Sequence, residues 1–235
     1  MRANNDHEAS AAVDHLLTVD SRLAALVETQ GLVDPYHWDA FPSQPGDMLS
    51  GLVVHIVGQQ IATRVAVVIF ERIKQLLGGE ITSAALALAT IEELRSTGVS
   101  GAKARALSEL GARLEAGNFD LEALKHKDDA EAELDLVSLR GIGPWSAQMF
   151  LIHELRRPNV FPAGDVGLRS AIARLDGLPC APDIKSAVQR AVIWTPYRTY
   201  AAVYLWSWLS AMRQQDRQSS GTAAASASET ARPRS

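Results

Sequence analysis

Leu139-Arg140-Gly141-Ile142-Gly143-Pro144-Trp145, with Gly164-Asp165-Val166-Gly167 about twenty residues further on, is the stretch from which the rest of the chain is read. Gly141 and Gly143 flank one apolar residue, and Pro144 stands where the next helix would begin. Proline is favoured at a first helical position because its missing N–H is not needed there. Without Cβ atoms, the two glycines permit positive φ and close approach of another molecule's backbone. Amides at a helix N-terminus point outward at the positive end of the dipole and attract an anion. The segment reads as a turn between two helices with a backbone suited to a phosphate. A bare Gly-x-Gly is more often an ordinary helix corner, and the longer string narrows the choice.

Asp165 lies between Gly164 and Val166-Gly167-Leu168-Arg169, after an irregular segment containing Pro162. A helix is expected to start at Val166. Aspartate is among the best N-cap residues, so Asp165 reads first as a cap. The cap also makes it a carboxylate fixed in place at the head of a helix, as chemistry at a developing positive charge requires.

The composition bounds what surrounds these two pieces. A chain of 235 residues is one large domain or two small ones, and 47% hydrophobic residues suffice for a core. One cysteine, Cys180, excludes an intrachain disulfide and any cysteine-rich metal or iron–sulfur site, and fits a reducing cytosol. The first residues are polar, with no apolar signal core. Leu49–Val57 is too short to span a membrane and contains His55. A soluble cytoplasmic protein is expected. The net charge of −4 and pI near 5.9 count against broad electrostatic binding of nucleic acid. Between Asp135 and Arg217, however, basic residues outnumber acids by ten to six, while the acids gather in Asp120–Asp135. A basic second half can face DNA.

Strand signals are nearly absent and helical periods recur, so the fold class is all-α with about ten short helices. Val13, Leu16, Leu17, Leu23, Leu26 and Val27 suggest one or two opening helices. Met48 to Gly58 reads as a buried helix, and Ile61 to Leu77 as another, closed by Gly78-Gly79. Thr90-Ile91-Glu92-Glu93 is a capping box opening a short helix to Ser96. Helices are also expected over Ala102–Ala116, Asp128–Leu139, Pro144–Leu155, Val166–Leu175, Ile184–Trp194 and Tyr197–Met212. Residues 1–9 and the Ser/Ala-rich 214–235 read as disordered, leaving a folded body over 10–213.

The full hairpin string resembles the helix-hairpin-helix of the HhH-GPD superfamily of DNA glycosylases, and Asp165 matches the place of that superfamily's essential aspartate. Bifunctional members carry a lysine two residues after the second glycine. Trp145 stands there, which implies a monofunctional enzyme that releases a base without nicking the strand. A tryptophan at this position resembles the AlkA-type 3-methyladenine DNA glycosylases (type II). So do Val57-Gly58-Gln59-Gln60-Ile61-Ala62 and Thr195-Pro196-Tyr197-Arg198-Thr199-Tyr200-Ala201 through Trp206. The resemblance covers roughly residues 45–212. It implies a two-lobed helical fold in compact form, with no extra N-terminal β-rich subdomain.

Carried over position by position, the resemblance implies Asp165 as the catalytic carboxylate. It implies Trp145, Trp206, Gln59 and Met149 as base-pocket residues, with Gln60 as the wedge that fills the gap left by a flipped nucleotide. Arg140, Gly141, Ile142, Gly143 and Pro144 would hold DNA. The carbonyls of Val137, Leu139 and Ile142 match a candidate structural site for a monovalent cation, and no cofactor is required. The implied partner is damaged double-stranded DNA, met by a monomer without membrane. The implied substrates are alkylated purines, chiefly 3-methyladenine and 7-methylguanine. Met149, where an aromatic often stands, and Gln59 leave other lesions open: hypoxanthine, uracil or 8-oxoguanine. A non-catalytic helix-hairpin-helix DNA-binding module and an unrelated helical phosphate binder are further readings. Trp194 and Trp208 read as core, Arg198 as a structural hydrogen-bonder, and the six histidines as surface or core residues without metal-ligand spacing.

Overall fold

The computed structural model describes the backbone of residues 2–36 and 47–230, and the side chains of 7–36 and 47–215. In chain order the helices are α1 (Arg2–Val19), α2 (Ser21–Gln30), α3 (Met48–Gly58), α4 (Thr63–Leu76), α5 (Ser83–Leu88), α6 (Ile91–Ser96), α7 (Gly101–Glu115), α8 (Asp129–Val137), α9 (Pro144–His153), α10 (Val166–Asp176), α11 (Ile184–Ala191) and α12 (Arg198–Thr230). Two 3-10 turns, Glu122–His126 and Val192–Trp194, complete the regular structure. No strand occurs among the described residues, as the all-α reading expects.

The chain divides into two compact units. One is continuous, Asp34–Gly164; the other joins Met1–Val33 to Asp165–Ser235. In the continuous unit, α3 is buried on every side from Leu52 to Val57, and Asp47 caps it by accepting from the Ser50 amide at 3.1 Å. A helix apolar all round belongs in an interior. The predicted capping box is present at α6: Thr90 accepts from the Glu93 amide, and Glu93 accepts from that of Thr90. α5, absent from the sequence reading, packs on α7 where Gly111 lies. A Cβ there would stand 2.5 Å from the Ala87 nitrogen, so glycine permits the approach. α3 and α9 meet through a stacked pair, His55 and His153, with ring centroids 6.2 Å apart. Burial lowers His55 to a pKa of about 4. Burial, aided by the charge of His55, lowers His153 to about 3.

The discontinuous unit is built on α1, α2, α10, α11 and α12. Leu16, Leu23, Leu168, Ile172, Trp194, Tyr200 and Tyr204 are fully buried or nearly so. A polar cluster ties its two chain segments. Asp20 caps α2 with Oδ1, and its Oδ2 accepts from Arg190 at 2.6 Å and from the Trp194 indole at 2.8 Å. Arg190 also donates to Asp176, at 2.7 Å, from Nε. Burial pushes the Asp20 carboxyl up, but the bonds from Arg190, Trp194 and Leu23 outweigh it and hold the group below its ordinary value.

Helical backbone covers residues 2–9 and 214–230, where composition suggested disorder. Both stretches contain alanine and other residues of good helix propensity, and each prolongs a helix that has already nucleated. Met1 and residues 231–235 lie outside the described residues. The helix expected over Ile184–Trp194 is α11 followed by a 3-10 turn.

Candidate active site

The hairpin forms as its sequence demands, although its two glycines differ. Gly141 sits at φ 82°, in the left-handed region, and a Cβ there would come 2.9 Å from that of Ala106. Gly143 is the N-cap of α9 at φ −95° and ψ 172°, a conformation open to any residue. Its Cβ position opens on empty space. No side chain caps α9, and Pro144 occupies its first turn, so the helix start is left to its own amides. Ile142 is buried and anchors the turn, with its amide donating to the Leu139 carbonyl at 3.1 Å.

Beside the hairpin, Gln59, Gln60 and residues 141–146 line an open groove of about 500 Å³. Gln59 ends α3, and its Nε2 donates to the Gly141 carbonyl at 2.6 Å and to Ser146 Oγ at 3.1 Å. That amide is spent on holding the hairpin. Gln60 is exposed, at φ 58°. Trp145 is 37% exposed at the first turn of α9. Met149, one turn further along, is buried and is not among the residues lining this groove. Arg140 is exposed and reaches Glu109 at 3.5 Å, a loose surface pair that leaves it available to an anion.

In the discontinuous unit, Asp165 is the N-cap of α10. Its Oδ1 accepts from the Leu168 amide at 2.8 Å and from the Trp206 indole N–H at 3.2 Å. Gly167 makes room: a Cβ there would lie 2.9 Å from that same oxygen. The Trp206 indole thus stands directly beside Asp165. Trp194 is in the core as expected, whereas Trp208 is only half-buried. Arg198 is half-buried at the start of α12.

Among the described residues, no three or more His, Cys, Asp or Glu side chains are grouped to hold a metal ion. Sequence reasoning missed Ser146 and Lys103. Lys103 donates to the carbonyls of Val57 and Gln59 at 2.8 and 2.7 Å. Nothing in a linear pattern signals a bond across more than forty residues.

The sequence matches the profile of the HhH-GPD superfamily base excision DNA repair proteins over residues 53–196, more than half of the chain. This chain belongs to that superfamily. A DNA-3-methyladenine glycosylase of Bacillus subtilis is 37% identical over 90 residues, 38% of this chain and 30% of that protein. The chain spans less than half the length of the Bacillus subtilis and Mycobacterium tuberculosis relatives it matches. Two solved structures match it over most of their length. The Schizosaccharomyces pombe 3-methyladenine DNA glycosylase in complex with abasic DNA has a TM-score of 0.73 at 28% identity, covering 83% of this chain and 95% of that one. The DNA-3-methyladenine glycosidase of Bacillus halodurans has a TM-score of 0.74 at 30% identity, covering 86% and 91%. Within this HhH-GPD chain, the hairpin lies inside the matched span, as does Asp165. Trp206 lies beyond it.

Proposed function

We propose that this protein is a monofunctional DNA glycosylase that releases alkylated purines, chiefly 3-methyladenine and 7-methylguanine, from duplex DNA in base excision repair. The observation that carries the reading is Asp165, with one oxygen fixed by the Leu168 amide and the Trp206 indole. As the glycosidic bond breaks, the sugar gains oxocarbenium character and positive charge. An anion already held in place stabilises that state more than the ground state. Water adds at the sugar carbon, the base leaves with the bonding electrons, and the carboxylate orients the water and accepts its proton.

Methylation at N3 or N7 makes the bound base cationic, so it departs neutral and needs no strong general acid. An indole face favours a cation. Trp206 offers one beside Asp165, and Trp145 offers another at the hairpin. Trp145 also occupies the place where an amine would be needed for strand cleavage, so the product is an intact abasic strand. The hairpin amides and the open space at Gly143 suit a DNA phosphate. Gln60 is the wedge of this proposal, and Arg140 a phosphate ligand.

The same reading has a monomer acting on damaged double-stranded DNA in the cytoplasm, without membrane and without a required cofactor. Neutral carbonyls at Val137, Leu139 and Ile142 fit a monovalent cation; the Leu139 oxygen already closes the turn and would be shared. Such an ion would add positive charge beneath a bound phosphate.

Incubating the protein with DNA methylated by an alkylating agent, and identifying the bases set free, tests this directly. Free 3-methyladenine or 7-methylguanine with an uncut strand is expected. DNA bound without any base released would replace the enzyme by a binding module.

A further inference from the structure

The Gln59–Gln60 turn is fastened from two sides. On one side, the Gln59 side chain donates to the hairpin at Gly141 and to Ser146 on α9. On the other, Lys103, in the first turn of α7, drives its ammonium into the C-terminal end of α3. It donates to the Val57 carbonyl at 2.8 Å and to the Gln59 carbonyl at 2.7 Å. The last carbonyls of a helix lack intrahelical partners and carry the negative end of the dipole, so a cation suits them. Among the described residues Lys103 has no carboxylate partner. Its charge is spent on these two oxygens, although burial makes that charge costly. Immediately beyond stands Gln60, exposed and held at φ 58°, a region that a glutamine does not adopt without support.

We propose that Lys103 is a positioning residue: it holds the Gln59–Gln60 turn in register with the hairpin, so that Gln60 enters the duplex while the hairpin grips the phosphate. This rests on the glycosylase reading above and adds to it a residue outside the hairpin and the Asp165 pair. Without the ammonium, the Val57 and Gln59 carbonyls turn to water and Gln60 relaxes from its left-handed conformation. The step penalised is the opening of an intact base pair. A lesion that is already unpaired pays little for flipping, so its release is spared.

The test compares Lys103→Met, which keeps the aliphatic stem and removes the donors, with Lys103→Arg, which keeps charge and donors. Single-turnover release of 7-methylguanine is measured from a duplex pairing it with cytosine and from one placing it opposite an abasic site. Lys103→Met is expected to lose about tenfold on the paired substrate and little on the unpaired one, with Lys103→Arg recovering most of the loss. Gln60→Ala should show the same paired-only loss, and the double variant should be no slower than the slower single one. Equal losses on both substrates, or losses that multiply in the double variant, would overturn the proposal. Absence of release by the unaltered protein from both duplexes would instead overturn the glycosylase reading, and this inference with it.

Discussion

Gly141 and Gly143 are glycine for different reasons. Gly141 needs its left-handed φ and the space beside Ala106. Gly143 needs neither, because its backbone suits any residue and its Cβ position is open. In the function proposed above, the open space at Gly143 receives a DNA phosphate. Gly141→Ala is therefore expected to lower thermal stability by roughly 1–3 kcal/mol, through strain and overpacking. Gly143→Ala should leave the melting temperature in place and weaken DNA binding several-fold. Thermal unfolding and DNA titration of both variants decide this, and Gly143→Ala bound as tightly as the parent would argue against a phosphate at that site. At this scale the sequence was most readable where one residue type has one physical use. Asp165 as a cap and Pro144 at a first turn are of that kind. The burial of Met149 depends on packing around α9, which the string around it does not encode.

Between elements, the meeting of α3 and α9 carries a pH dependence. His55 and His153 are neutral in the fold, with pKa values lowered to about 4 and about 3. In the unfolded chain each titrates near 6.5. Between about pH 6.5 and 4 the unfolded state takes up protons that the folded state refuses, so stability is full above that window and falls as the pH drops through it. Replacing both histidines by leucine should flatten this decline. Denaturant unfolding at pH 7.5 and 4.5 measures it, and equal declines in the parent and the double variant would contradict the assignment. Helices were legible where their signals are local: α3 by its apolar run, α6 by its capping box. α5 was not. It is six residues long without a marked period, and exists by packing on Gly111 of α7. The clamp of Lys103 on α3 was hidden for a similar reason, its partners lying 44 and 46 residues away.

For the molecule as a whole, the all-helical class followed from periodicity, whereas a two-lobed form was implied by the family resemblance and not by periodicity. One unit is assembled from both ends of the chain, held by bonds such as Asp20 to Arg190 across 170 positions. Composition alone cannot announce such a pairing. The net charge of −4 also gives no hint of DNA, and the local excess of basic residues after Asp135 had to be read in its place. One unit carries a phosphate-suited hairpin and the other a fixed carboxylate, in a chain of the HhH-GPD superfamily of base excision DNA repair proteins. In the function proposed above, Asp165 supplies the anion for bond cleavage and takes no part in holding DNA. The measurement that tests this most directly is single-turnover base release from methylated duplex DNA by the parent and by Asp165→Asn, with DNA affinity measured alongside. The asparagine keeps an oxygen for the Leu168 amide and the Trp206 indole, so the fold should stand. Unchanged affinity and a loss of release of at least about a hundredfold are expected. Release at the parental rate would contradict the role of Asp165.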